Sequence, residues 1–371
     1  MMTTQAQDRE DRMMMKGLVV RVLVVLALLA CATAPAFAGS DERKGTGGAL
    51  ELRLPVGPRG TALGASVVSD AYGIDALFWN PAGLATIERT EAMFSHTRYF
   101  ADMNLNYAAV GTHLGFGTLA LNAKVLRTGD VIVTTEDAPD GTGEILNPTF
   151  SVFGASFARQ FTDRVMFGLT TNFITEQVRN AKANGVSFDF GVQYLTGFHG
   201  MRFGMAMKNF GPSMHFSGDD FDVNTQIPGT DPTASNRTLA FTSSEFEQPS
   251  YFTLSASYDL MKDANQRLVA LGSFQNNNFV GDNFSGGAEW TYKNTFALRG
   301  SYFGSITNPI DATTGDTSTK FSSGDDLYNG FAFGVGAQVK TGDTKIGIDM
   351  AWKTVRNFFD DTIEVGLRLM F

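Results

Sequence analysis

From residue 91 to its end the chain alternates apolar and polar positions with a period of two, the mark of strands with one apolar face. In 186–194, Val186, Phe188, Phe190, Val192 and Tyr194 oppose Ser187, Asp189, Gly191 and Gln193. In 201–208, Met201, Phe203, Met205 and Met207 oppose Arg202, Gly204, Ala206 and Lys208. In 345–352, Ile346, Ile348, Met350 and Trp352 oppose Lys345, Gly347, Asp349 and Ala351. In 363–371, Ile363, Val365, Leu367, Leu369 and Phe371 oppose Glu364, Gly366, Arg368 and Met370. The polar face is rich in glycine with scattered single charges, unlike an ordinary solvated face. The pattern predicts about fourteen strands, near 91–100, 103–115, 116–128, 148–160, 164–177, 184–196, 199–210, 250–260, 266–276, 282–292, 295–305, 329–340, 344–354 and 361–371. Each is long enough to cross a bilayer when tilted. The 266–276 stretch does not declare which face points out.

A soluble sandwich also alternates, so the connections matter. After even strands come tight turns, such as Gly115-Phe116-Gly117, Thr162-Asp163 and Thr341-Gly342-Asp343. All three long connections, 129–147, 211–249 and 306–328, follow odd strands. With both ends of the barrel chain in the periplasm, every long loop is extracellular, the asymmetry of outer-membrane barrels. The expected fold is all-β, a transmembrane antiparallel β-barrel of about fourteen strands, with a short plug ahead of it.

The first 38 residues read as a secretory signal peptide: Lys16 and Arg21, the apolar run Val22–Ala30, then Ala36-Phe37-Ala38 as cleavage site. The run is too short for a membrane anchor. Leu28-Leu29-Ala30-Cys31 partly resembles a lipoprotein box, but cleavage after Ala38 is preferred and discards the single cysteine. The expected organisation is 1–38 signal peptide, 39–90 periplasmic or plug segment, and 91–371 barrel. Composition agrees: 40 Gly and 32 Phe with only 18% charged residues suit strands and turns better than a helical enzyme. A net charge of −9 excludes nucleic acid as a partner.

Residues 61–86 do not alternate, and Asn80-Pro81-Ala82-Gly83 is a turn signal. The phrase Asp75-Ala76-Leu77-Phe78-Trp79-Asn80-Pro81-Ala82-Gly83-Leu84-Ala85, preceded by Arg59-Gly60-Thr61-Ala62-Leu63-Gly64, resembles the PorV/PorQ family of outer-membrane proteins and, more distantly, FadL-type long-chain fatty acid transporters. Tyr72-Gly73-Ile74 departs from the family, which is more acidic there. The resemblance implies a plug or hatch inside the barrel, with Asp75, Trp79, Asn80, Pro81, Ala82 and Gly83 as plug and gate residues. The turn has a structural use whatever the function, so a gate and a simple entry into the first strand both stay open. Barrels of this class also resemble one another in ending on an aromatic residue read by the outer-membrane assembly machinery, which makes Phe371 a candidate assembly signal.

Chemistry is sparse. His96, His113, His199 and His215 lack metal-ligand spacing, and no Ser/His/acid grouping stands out. No enzyme activity, metal or cofactor is expected. Inward parity collects Asp189, Arg202, Lys208, Asp259, Glu289, Arg299, Lys345, Asp349, Glu364 and Arg368. Opposite charges on a narrow inner wall pair where they can, which favours ion pairing over a polar pathway. The long loops carry fifteen acids against Arg237 and Lys320. Such loops suit plain solvation, or divalent ions shared with lipopolysaccharide. The expected partners are outer-membrane lipid, lipopolysaccharide and the assembly machinery. Two functions follow from the resemblance. One is a plugged conduit for hydrophobic small molecules. The other is a non-transport component of type IX secretion that binds secreted cargo proteins at the outer membrane.

Overall fold

A computed structural model describes residues 45–226, 235, 237–307, 320–322, 330–355 and 360–371. The export segment, its alternative cleavage at Cys31, and the loop acids Asp231, Asp311, Asp316, Asp325 and Asp326 lie outside the described residues.

Fourteen wall strands follow in chain order: β1 (Glu91–Arg98), β2 (Asn104–His113), β3 (Thr118–Arg127), β4 (Thr149–Thr162), β5 (Val165–Val178), β6 (Ala181–Leu195), β7 (Arg202–Phe210), β8 (Tyr251–Lys262), β9 (Gln266–Asn277), β10 (Asp282–Tyr292), β11 (Phe296–Thr307), β12 (Gly330–Thr341), β13 (Thr344–Lys353) and β14 (Thr362–Met370). Each pairs antiparallel with its neighbours, and β1 closes the ring on β14, from Glu91 opposite Met370 to Arg98 opposite Ile363. Thr90 and Phe371 extend that seam, each N–H donating to the other's carbonyl at 3.2 and 3.0 Å. Closure matters because an open strand edge leaves unpaired N–H and C=O groups that hydrocarbon cannot satisfy.

Burial is inverted relative to a soluble protein. Leu121, Phe153, Phe173, Ile348 and Phe333 are exposed on the outside, whereas Glu289 and Glu364 on the inside are 1% and 0% exposed. An apolar outer belt around an inner wall that carries charges marks a transmembrane barrel, although part of this inner wall, at Met93, Leu105, Tyr107 and Leu126, packs apolar against the segment inside. The three long connections all leave odd strands, as the spacing predicts, and two of them form small hairpins of their own, Val131–Ile132 with Ile145–Leu146 and Asp222–Thr225 with Arg237–Ala240. Across neighbouring loops Arg179 pairs with Glu144 at 3.0 Å and Asp220 at 3.9 Å. Among the described residues no group of three His, Cys, Asp or Glu is placed to hold a metal ion.

Two local features correct the simple alternation. In β7, Asn209 takes the left-handed conformation (φ 58°) where the register with β6 slips between Phe188 and Phe190. This bulge turns both Lys208 and Asn209 inward, where both are buried. In β9 the inner face is itself partly apolar: Val269 and Leu271 are buried against Leu63 and Val67 of the segment inside the barrel. With apolar residues on both faces β9 cannot announce its sidedness, and Arg267, on its inner face, escapes sequence reasoning for that reason.

Candidate functional site: the lumen plug and its seat

Residues 47–90 run inside the barrel. They form only short pieces: the α-helices Pro58–Leu63 and Ala76–Trp79, and the 3-10 helices Leu50–Arg53, Gly64–Ser69, Gly73–Asp75 and Pro81–Thr86. Pieces this short leave many carbonyls without a helical partner. The wall supplies the donors. Ser301 Oγ donates to Ala62 O at 2.7 Å, Ser255 Oγ to Ser66 O at 2.7 Å, and Gln193 Nε2 to Ala71 O at 2.8 Å. Lys124 Nζ donates to Leu54 O at 2.9 Å.

Inward-facing glycines let the plug backbone reach the wall. A Cβ on Gly168 would sit 2.2 Å from the carbonyl carbon of Pro81, and one on Gly204 would sit 2.4 Å from Val68 O. On Gly191 it would sit 2.1 Å from Asn80 Oδ1. The gly-rich polar face read from the sequence is thus a seat for backbone.

Asn80 holds the centre of that seat. Its Oδ1 accepts from Ala82 N at 3.1 Å, which caps the Pro81–Thr86 turn, and its Nδ2 donates to Val68 O and to Val192 O of the wall at 2.9 and 3.1 Å. Pro81 stands at the first position of that turn, where a missing N–H costs nothing. Ala82 is fully buried, and Gly83 has no room for a side chain against Ala71 O. Trp79 Nε1 donates to Val56 O at 3.0 Å. Asp75 accepts from Arg368 Nη1.

That last contact ends a continuous chain of buried ion pairs between plug and wall. Arg368 also donates to Asp349, and Asp349 accepts from Arg299, at 3.1 and 2.6 Å. Arg299 donates to Glu289 at 2.7 Å. Glu289 receives a two-pronged contact from Arg59 of the plug, at 2.9 and 3.1 Å. Arg59 turns its remaining donors on Asp70, to the side chain at 3.0 Å and the carbonyl at 3.1 Å. Asp70 and Asp259 are then bridged by both Arg202 and Arg267. The network holds the carboxylates of Asp70, Asp75, Asp259, Glu289 and Asp349 and the guanidiniums of Arg59, Arg202, Arg267, Arg299 and Arg368, so its charges balance. Planar, two-pronged arginine suits this linkage in a way lysine does not.

Of the inward charges read from the sequence, six join this network. Asp189 and Lys208 make a separate pair at 3.6 Å. Among the described residues Glu364 has no ion-pair partner; it accepts from Thr61 Oγ1 at 2.6 Å and Gly57 N at 2.7 Å. Lys345, expected on the inner face, is exposed beside the Gly342 turn, because the strand end has already left the lumen. Arg59, Asp70 and Arg267 were not in the expected set. Arg59 opens the phrase that resembles other plugs, which is the one sequence signal that marked it.

Between plug and wall lies a cavity of about 20 Å³, lined by Leu52, Leu77, Phe78, Lys124, Asp189 and Lys208 among others, room for about one water molecule. Two ammonium groups lie over the Phe78 ring, Lys208 Nζ at 3.8 Å and Lys124 Nζ at 4.8 Å from its centroid.

At the other end of the plug, burial and then the Glu176 carboxylate push the Glu51 carboxyl up from 4.5 to about 8. The native plug therefore keeps a proton that the unfolded chain has released. Between these two values the native state binds more protons, so stability falls as pH rises. Glu51→Gln is expected to flatten this fall, read as urea midpoints in detergent at roughly pH 5 and pH 9. An equal drop in both proteins would remove Glu51 as its source.

No protein-family model and no curated protein matches the chain. Solved structures share its fold. A structure described as the CymD monoaromatic hydrocarbon channel is 11% identical with a TM-score of 0.53, covering 85% of this chain and 97% of that one. The Pseudomonas putida toluene transporter TodX is 11% identical with a TM-score of 0.51, covering 84% and 96%. At such identity the likeness is one of fold.

Proposed function

We propose that this chain is a bacterial outer-membrane conduit for hydrophobic small molecules, seen in its closed state, with the 47–90 segment as the gate. The observation that carries this reading is the filled lumen. A porin for polar solutes needs a water-filled channel. Here a plug seated by a balanced ion-pair network leaves, at Phe78, a space the size of a water molecule. Two solved barrels of the same fold are described as channels or transporters of monoaromatic hydrocarbons or toluene, which agrees with an apolar cargo. Asp75, Trp79, Asn80, Pro81, Ala82 and Gly83 then serve as plug and gate residues, and Phe371 as the assembly signal at the closing seam.

The test is uptake of a labelled long-chain fatty acid and of labelled toluene by a deletion strain, with and without the restored gene. Restored uptake of either is expected, and uptake unchanged for both overturns the conduit. The second reading, a type IX secretion component, draws on the Asp75–Ala85 phrase. Its mark is loss of secreted cargo from the cell surface with uptake unaltered.

A further inference from the structure

The two ends of the plug lie at opposite mouths of the barrel. Its first residues sit among the long loops. Gly48 N donates to Glu247 O at 3.0 Å, and Gly47 bridges Glu247 in parallel register. Gly47 also faces Phe279, in the connection after odd strand β9, and Gly48 faces Phe246. Arg53 Nη2 donates to Asn277 Oδ1, at the loop end of β9. Ala49 and Leu52 are buried with Val152, Ile174, Ala183 and Met214, which lie in the loop-side parts of β4, β5 and β6 or in the loop beyond β7.

The later residues sit at the short-turn mouth. Gly73 and Ile74 meet Glu91, the first residue of β1, whose carboxylate accepts from Ile74 N at 2.8 Å. Asp70 meets Arg202 and Arg267, the first residues of β7 and next to first of β9. Thr90 pairs with Phe371.

We infer that the plug is threaded through the whole lumen, so that its leading end, from Gly45, is presented on the long-loop side, which is the cell exterior. A hatch attached at one mouth can swing away from the other. A thread held at both cannot, and its leading leg, Gly47–Arg53, becomes the cover of the outer mouth. Leu50 already faces outward and is 61% exposed.

The exterior assignment rests on the long loops facing outward, so the test separates the two. After cleavage at Ala38 the chain has no cysteine, and single substitutions give unique thiols. Leu50→Cys and Gly45→Cys report the leg, Ser244→Cys a long loop, and Asp163→Cys a short turn. Each is labelled with a membrane-impermeant maleimide in intact cells and in cells with a permeabilised outer membrane. Heat-modifiable gel mobility confirms that each variant has folded. The leg and Ser244→Cys are expected to label fully in intact cells, and Asp163→Cys only after permeabilisation. A leg that labels with Asp163→Cys, or in neither preparation, overturns the thread. A leg and Ser244→Cys that both need permeabilisation keep the thread and overturn display on the exterior.

Discussion

Arg59→Met is expected to lower the unfolding free energy of the barrel by about 3–5 kcal/mol, the usual cost of removing one partner from a buried ion pair. Arg59 is 1% exposed and faces four acceptors at once: both oxygens of Glu289, one of Asp70, and the Asp70 carbonyl. Its removal leaves the network with one uncompensated negative charge. Glu289 keeps Arg299, and Asp70 keeps Arg202 and Arg267, so the wall still closes. What is lost is the Arg59–Glu289 tie between plug and wall, while Asp70 with Arg202 and Arg267, and Asp75 with Arg368, still join the two. Methionine fills much of the volume, which separates the charge effect from a cavity effect. Arg59→Lys restores the charge, but one ammonium cannot reproduce the two-pronged geometry, so its loss should fall between wild type and Arg59→Met. Urea unfolding in detergent or lipid measures all three. A change in Arg59→Met within about 0.5 kcal/mol, the range of ordinary surface substitutions, would show that the network does not act as a unit.

Gly168→Ala should be costly for a different reason. The new methyl meets the backbone of Pro81, with the carbonyl oxygen 2.3 Å and Ala82 N 2.4 Å away, and backbone cannot rotate aside as a side chain can. Overpacking of this kind costs about 1–3 kcal/mol. The wall has no reason to fail, because the outward partners of β5 are untouched. The expected phenotype is therefore a barrel with normal heat-modifiable mobility whose plug is displaced, seen as new sensitivity of cells to a large antibiotic normally excluded. Gly272→Ala is the control. It lies on the same sheet, but its added methyl meets nothing nearer than Ser285 O at 4.0 Å, so permeability should stay at the wild-type level. Equal behaviour of the two variants would refute the view that inward glycines are the seat of the plug.

Particular residues show how much could be read in advance. All fourteen wall strands are legible because alternation is a local property: Phe188 and Phe190 lie outside and Asp189 inside whatever the rest of the chain does. Loop sorting is legible for the same reason, since loop lengths count residues and need no contacts. Arg267 is not legible, because Val269 and Leu271 beside it face the plug and blur the apolar face of β9. Asn209 turns inward through a bulge that no spacing rule marks. Within the candidate site, Asp75 and Asn80 stand out in the sequence as part of a distinctive phrase, yet nothing local says that one meets Arg368 and the other Val192.

The sequence alone therefore determined the number and approximate extent of the strands, the sidedness of most of them, the inward parity of most of the charges, and the existence of a non-strand segment ahead of the barrel. Only the tertiary structure decided which inward charges meet, that Glu364 binds Thr61 and Gly57 while Lys345 stays outside, and that the plug runs from one mouth to the other. The reason is physical. A strand's faces follow from its own dihedral period, whereas partners separated by 230 residues, such as Arg59 and Glu289, are brought together only when the ring of strands closes around the plug.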